Sequence, residues 1–133
     1  MAFKFPDKDP DEKLDYTVDW SRFIVGNQTI KAIGVSSATT WKIQKLDGSY
    51  VEIGADQSFQ GDAVVTNVDA GESATTGLTI VSESITTASH TCTVVLTKGI
   101  VNTTYRLLCQ VELENANGLI TSREINLRVR ERS

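Results

Sequence analysis

Long apolar runs are absent from this 133-residue sequence. No window approaches the ~20 apolar residues of a membrane span, and the opening MAFKFPDKDP lacks the apolar stretch of a secretory signal. The expectation is a soluble chain made in the cytosol, with Met1 and the closing RVRERS bounding a complete reading frame. An excess of positive charge is missing too: 13 Lys and Arg stand against 17 Asp and Glu, a formal charge of -4. That is the wrong sign for gripping a phosphate backbone, where affinity comes largely from released counterions. Neither nucleic acid nor a membrane is therefore an expected partner. The one basic run, Arg123, Arg128, Arg130 and Arg132, is interrupted by Glu124 and Glu131 and reads as a mixed-charge exposed strand face.

Cysteine and histidine are equally scarce. Cys92 and Cys109 are too few for a disulfide framework. Both fall on the apolar parity of their strands, which favours two reduced, buried thiols over a bridge. His90, the single histidine, sits among Ser and Thr, and a Ser-His-Asp site needs a base held by an orienting carboxylate. No Cys or His pair has zinc spacing, no aspartate-rich run has the calcium-loop pattern, and no glycine-rich phosphate cradle appears. Asp15 and Asp19 share a strand face, where acidic residues solubilise and discourage edge pairing. The expectation is a protein that is not an enzyme and carries no metal or cofactor.

What the chain has in quantity is β-branched. Val, Ile and Thr number 39, residues that crowd a helix and pack well on a pleated surface. Leu14, Tyr16, Val18 and Trp20 alternate with Asp15, Thr17 and Asp19, one face dry and one wet. The same alternation places Cys92, Val94 and Leu96 on one strand, and Tyr105, Leu107, Cys109, Val111 and Leu113 on a longer one. After the turn signal Asn115 to Gly118, Ile125, Leu127 and Val129 complete a C-terminal hairpin. Leu78 and Ile80 mark a shorter strand after Gly77. Short strands at this spacing, with no helical period between them, predict an all-β, immunoglobulin-like antiparallel β-sandwich in a single domain. Tyr105 stands where such sandwiches carry a corner tyrosine, and an ordinary core tyrosine is the equal alternative.

Two segments fall outside that pattern. Residues 1–13 hold both prolines, Pro6 and Pro10, and a dense run of charge with no apolar partner, which predicts an extended arm beside a domain spanning 14–133. Trp41 to Ile53 predicts a hairpin turning tightly at Asp47-Gly48. Residues 54–76 then predict a long excursion from the sandwich, with one short strand near Ala63 to Val68, so that 44–76 is in effect a hairpin-containing insertion.

Several stretches together resemble a known family. They are KDPDEKLDYTVDWS at Lys8 to Ser21, TTW at Thr39 to Trp41, GLTI at Gly77 to Ile80, TCTVVLTKGIVNTTYRLLCQVEL at Thr91 to Leu113, and SREINLRV at Ser122 to Val129. The order resembles that of small tailed-bacteriophage virion proteins, the fibre-tail adaptors. The opening stretch is the most specific part, and the likeness breaks between Thr29 and Trp41 and over residues 44–76. The resemblance implies a structural subunit at the tail or neck of the particle, assembled in the host cytoplasm and present in several copies, as a homo-oligomeric ring. Its partners would be other tail or neck proteins and the tail fibre. Lys8, Asp9, Pro10, Asp11, Tyr16 and Trp20 are the candidate interface residues of the opening, with Trp41, Tyr50 and Phe59 in the middle of the chain. Trp20 reads first as core and second as an interface anchor. An adhesion or carbohydrate-binding module that stacks sugars on Trp41, Tyr50 and Phe59 is an alternative, as is an assembly chaperone that never enters the particle.

Overall fold

The computed structural model describes residues 3–10, 12–20, 29–30, 33, 39–66, 77–85, 90–113 and 120–131. Ten strands occupy them: β1 (Phe3–Lys4), β2 (Leu14–Asp19), β3 (Thr40–Gln44), β4 (Tyr50–Ile53), β5 (Gln57–Gln60), β6 (Ala63–Thr66), β7 (Thr79–Ile85), β8 (Thr91–Thr97), β9 (Thr103–Glu112) and β10 (Ile120–Val129). They form two five-stranded sheets, ordered β1-β10-β9-β3-β4 and β2-β8-β7-β5-β6. Both inner faces are supplied by the apolar parity of their strands: Tyr16, Val18, Cys92, Val94 and Leu96 from one sheet meet Trp41, Ile43, Leu107, Cys109, Val111, Ile125 and Leu127 from the other.

The strand order is that of an immunoglobulin-like sandwich. The sheet β10-β9-β3-β4 reproduces the order G, F, C, C′ of that fold, and β2-β8-β7 reproduces B, E, D. Two of its hallmarks are present. Trp41, fully buried, lies on the strand equivalent to C. Tyr105, near the start of the F-like strand, accepts the Ile100 backbone N–H on its hydroxyl at 3.0 Å, which fixes the β8–β9 connection from below. The corner role is therefore the one this tyrosine takes.

Cys92 and Cys109 are free and buried, one on each sheet. The Cys92 thiol beside it, together with burial, pushes the Cys109 thiol well above its ordinary value. A thiol held protonated is a poor nucleophile for disulfide exchange. Both thiols should therefore titrate after denaturation without reductant, and fewer than two would reveal a bridge.

The segment expected to stand apart does not. β1 pairs in parallel with β10, Phe3 opposite Ile125, the one parallel pairing among the described strands. Backbone bonds continue the run: the Phe5 N–H donates to the Asn126 carbonyl, the Lys8 N–H to that of Arg128, and the Arg130 N–H to that of Lys8. Phe5 is buried and stacks on Tyr16, with ring centroids 4.6 Å apart. The partners that this segment lacks within itself are supplied by Tyr16 on β2 and, for its backbone, by β10 more than 100 positions away.

The middle of the chain is also corrected. The Trp41–Ile53 hairpin is present as β3 and β4, but its loop runs over three residues, Leu46 to Gly48, rather than turning at two. The Gly48 N–H closes a turn onto the Lys45 carbonyl, and the Lys45 N–H bonds the Ser49 carbonyl. Only Gly48 takes positive φ, at 93°, which is the bulged three-residue form in place of a tight primed turn. Beyond Gly54, β5 and β6 are regular members of the second sheet, because β5 pairs with β7 through Gln57 opposite Ile80 and Ser58 opposite Thr79. The predicted excursion is thus sheet over residues 57–66, and residues 67–76 lie outside the described part.

Candidate functional site

The opening motif folds into a clamp. Asp9 begins a turn in which the Glu12 N–H donates to the Asp9 carbonyl at 3.0 Å, while the Glu12 carboxylate accepts the Asp9 N–H at 2.8 Å. Pro10 suits the second position of such a turn, because its ring presets φ and no N–H is needed there. Lys8, just before it, is 0% exposed. Its ammonium donates to the carbonyl of Lys98 at 2.7 Å and to that of Asp9 at 2.8 Å. The first bond ties the N-terminal segment to the β8–β9 connection, where Lys98 and Gly99 both have positive φ. The Tyr16 hydroxyl reaches back to the Pro6 carbonyl at 3.5 Å, and Asp7 pairs with Lys4 and Arg130.

Most of the sequence-predicted contact residues therefore serve this chain itself. Lys8, Pro10 and Tyr16 are buried in the clamp, and Trp20 is core. Trp20 lies under the Arg123 guanidinium, 4.8 Å from its ring centroid. Asp9 is half-buried in the turn, and Asp11 lies outside the described residues. Trp41 and Phe59 are buried, so the aromatic platform expected for sugar stacking is not assembled. Tyr50 alone keeps a half-exposed position, on the outer face of its sheet. Its hydroxyl donates to the Glu124 carboxylate at 2.9 Å. Burial first, and then the carboxylate beside it, push the Tyr50 phenol up to about 12, so this bond persists across the physiological range.

β1 and β2 are the outermost strands of their two sheets, on the side where the clamp sits. Between them opens a depression of about 280 Å³, lined by Phe5, Val18 and Ile125 with Lys4, Asp19 and Arg123 around them. The motif residues thus shape one edge of the sandwich. Arg123 was read from sequence only as part of a mixed-charge strand, and nothing local marks it as the cover of Trp20.

One inward carboxylate also escaped the alternation. A bulge between Ile80 and Ser82 shifts the parity of β7, so that Glu83 pairs with the buried Val94 and points inward. One carboxylate oxygen is buried without a hydrogen-bond partner, while the Ala55 N–H bonds the group. Burial outweighs that bond and raises the Glu83 pKa. A carboxyl whose folded value is raised leaves the fold unpenalised below its ordinary 4.5 and costs stability as pH climbs through the raised value. The melting temperature of E83Q should accordingly gain on that of the native chain between pH 4.5 and 7.5, and parallel curves would show that Glu83 is solvated.

Among the described residues no group of three or more His, Cys, Asp or Glu is arranged to hold a metal ion, and no helix is long and apolar enough to cross a membrane. Compared with protein-family models the chain matches none, and no curated protein matches it significantly.

Proposed function

We propose that this chain is a non-enzymatic structural protein of a tailed-bacteriophage virion, an adaptor at the tail or neck that links the tail or connector to the tail fibres. On this reading it assembles in the host cytoplasm, acts in several copies as a homo-oligomeric ring, and meets other tail or neck proteins. The observation that carries the reading is the opening motif. The stretch in which the resemblance is most specific, residues 8–21, contributes Lys8, the Asp9–Glu12 turn and Tyr16 to one unit at a sandwich edge, and Trp20 to the core behind it. A sheet edge is a common site for adding a neighbour's strand.

Quantitative mass spectrometry of purified particles from the source culture, counting this chain against the major capsid subunit, tests the proposal. A fixed low multi-copy ratio is expected. Absence from clean particles would discard it and leave the assembly chaperone, which shares the size, charge and sheet edges.

A further inference from the structure

The hairpin loop of β3–β4 and the β8–β9 connection, the latter also held by the clamp through Lys98, flank a second depression of about 300 Å³. Two large apolar side chains stand out beside it. Leu46 is 88% exposed and Ile100 41% exposed, and both line it. Its inner wall includes Phe59 and Tyr105, whose rings meet edge-on with centroids 6.4 Å apart. Leaving Leu46 in water forgoes a large part of the ~2 kcal/mol that burying such a side chain contributes.

The depression is preformed. The bond from the Ile100 N–H to the Tyr105 hydroxyl pins one flank, and the Leu46 N–H donates to the Asp62 carboxylate at 2.7 Å to pin the other. Asp47, in the same loop, accepts both the N–H and the hydroxyl of Ser49. These two carboxylates are engaged in building the loop, and neither lines the depression. The charged groups that do are Lys45 and Arg106. A cationic rim around an apolar mouth, on a chain whose formal charge is -4, selects the sign of what docks there.

We infer that this mouth is a docking site for an extended segment of a partner protein that carries a bulky apolar side chain flanked by carboxylates. The apolar side chain covers Leu46 and Ile100, and the carboxylates pair with Lys45 and Arg106. The volume suits one or two side chains and lies at the small end of ligand cavities, which favours a short peptide anchor over a cofactor. The inference holds whether or not the chain belongs to a virion.

The test is an amide chemical-shift titration of the full chain with two synthetic hexapeptides, Asp-Glu-Leu-Leu-Asp-Glu and Lys-Lys-Leu-Leu-Lys-Lys. The acidic peptide should shift the amides of Leu46, Ile100 and Arg106 with a Kd on the order of 1 mM. The basic peptide should bind at least about tenfold more weakly, and R106E, a change at an exposed side chain, should weaken the acidic one by about tenfold. Equal binding of the two peptides, or no shift at those amides up to about 5 mM, would overturn the inference. So would concentration-dependent shifts at Leu46 without any peptide, which would make a second copy of this chain the occupant.

Discussion

Removing residues 1–13 is expected to lower the melting temperature by roughly 10–20 °C, at constant protein concentration and neutral pH. The deletion withdraws Phe5 from the core, a burial of about 2 kcal/mol, along with its stack on Tyr16. It also removes the Lys8 ammonium, leaving the Lys98 carbonyl in a tight connection without that donor. Hydrogen bonds from a charged group contribute about 1.5–3 kcal/mol each. Against this stands the backbone entropy that the freed segment regains, so a net loss on the order of 4 kcal/mol is the balance. Lys8→Met isolates the clamp from the rest of the segment, since it keeps the packed stem and deletes only the donors. It should cost about 2 kcal/mol in a denaturant titration with an unchanged slope. A truncated chain that melts within about 2 °C of the full one would mean that the segment is not docked in solution.

Gly77→Ala should be the most damaging single-methyl change in the described fold. A Cβ at this position would collide with the backbone carbonyl of Phe59, 2.7 Å from its carbon, where β5 closes onto the start of β7. That crossing is held by the Phe59 N–H on the Leu78 carbonyl, and by the Ser58 and Thr79 hydroxyls on the Gly77 carbonyl. Backbone cannot swing aside as a side chain can, so the loss lies at the upper end of overpacking, about 3 kcal/mol or more. Gly61→Ala is the control. It meets nothing within 4 Å, and only its φ of +69° opposes the new side chain, a cost of about 1 kcal/mol. If urea midpoints fell equally for the two variants, the close approach at Gly77 would be refuted.

The sandwich itself was legible because its long strands alternate without a break. β8, β9 and β10 place every inward residue that their sequence parity assigns, and the position of Tyr105 announced a corner that the Ile100 bond completes. The N-terminal segment was not legible for an electrostatic reason. A lysine amid Asp, Pro and Glu looks solvated, and the carbonyl that receives it lies 90 positions further on. Of the two strands beyond Gly54, β6 falls on the short strand expected near Ala63 to Val68, whereas β5, four residues long, is too short for a period to show, and the fit that fixes it depends on the missing side chain of Gly77. Glu83 was hidden by a bulge, which reverses parity midway along β7. Leu46 did leave a trace: it falls off the alternation of Trp41 and Ile43, and it is exposed.

The pairing of β1 with β10 sets an order of events during synthesis. Residues 3–8 are made more than 100 residues ahead of their backbone partners, residues 125–130. Until those emerge, Phe5 has only part of its site and Lys8 no parallel strand to join. Closing so long a loop is slow, since its entropy is lost before any contact compensates. The outer edge of β10 therefore stays open for that interval, and the early-made segment, by arriving last, is what seals it.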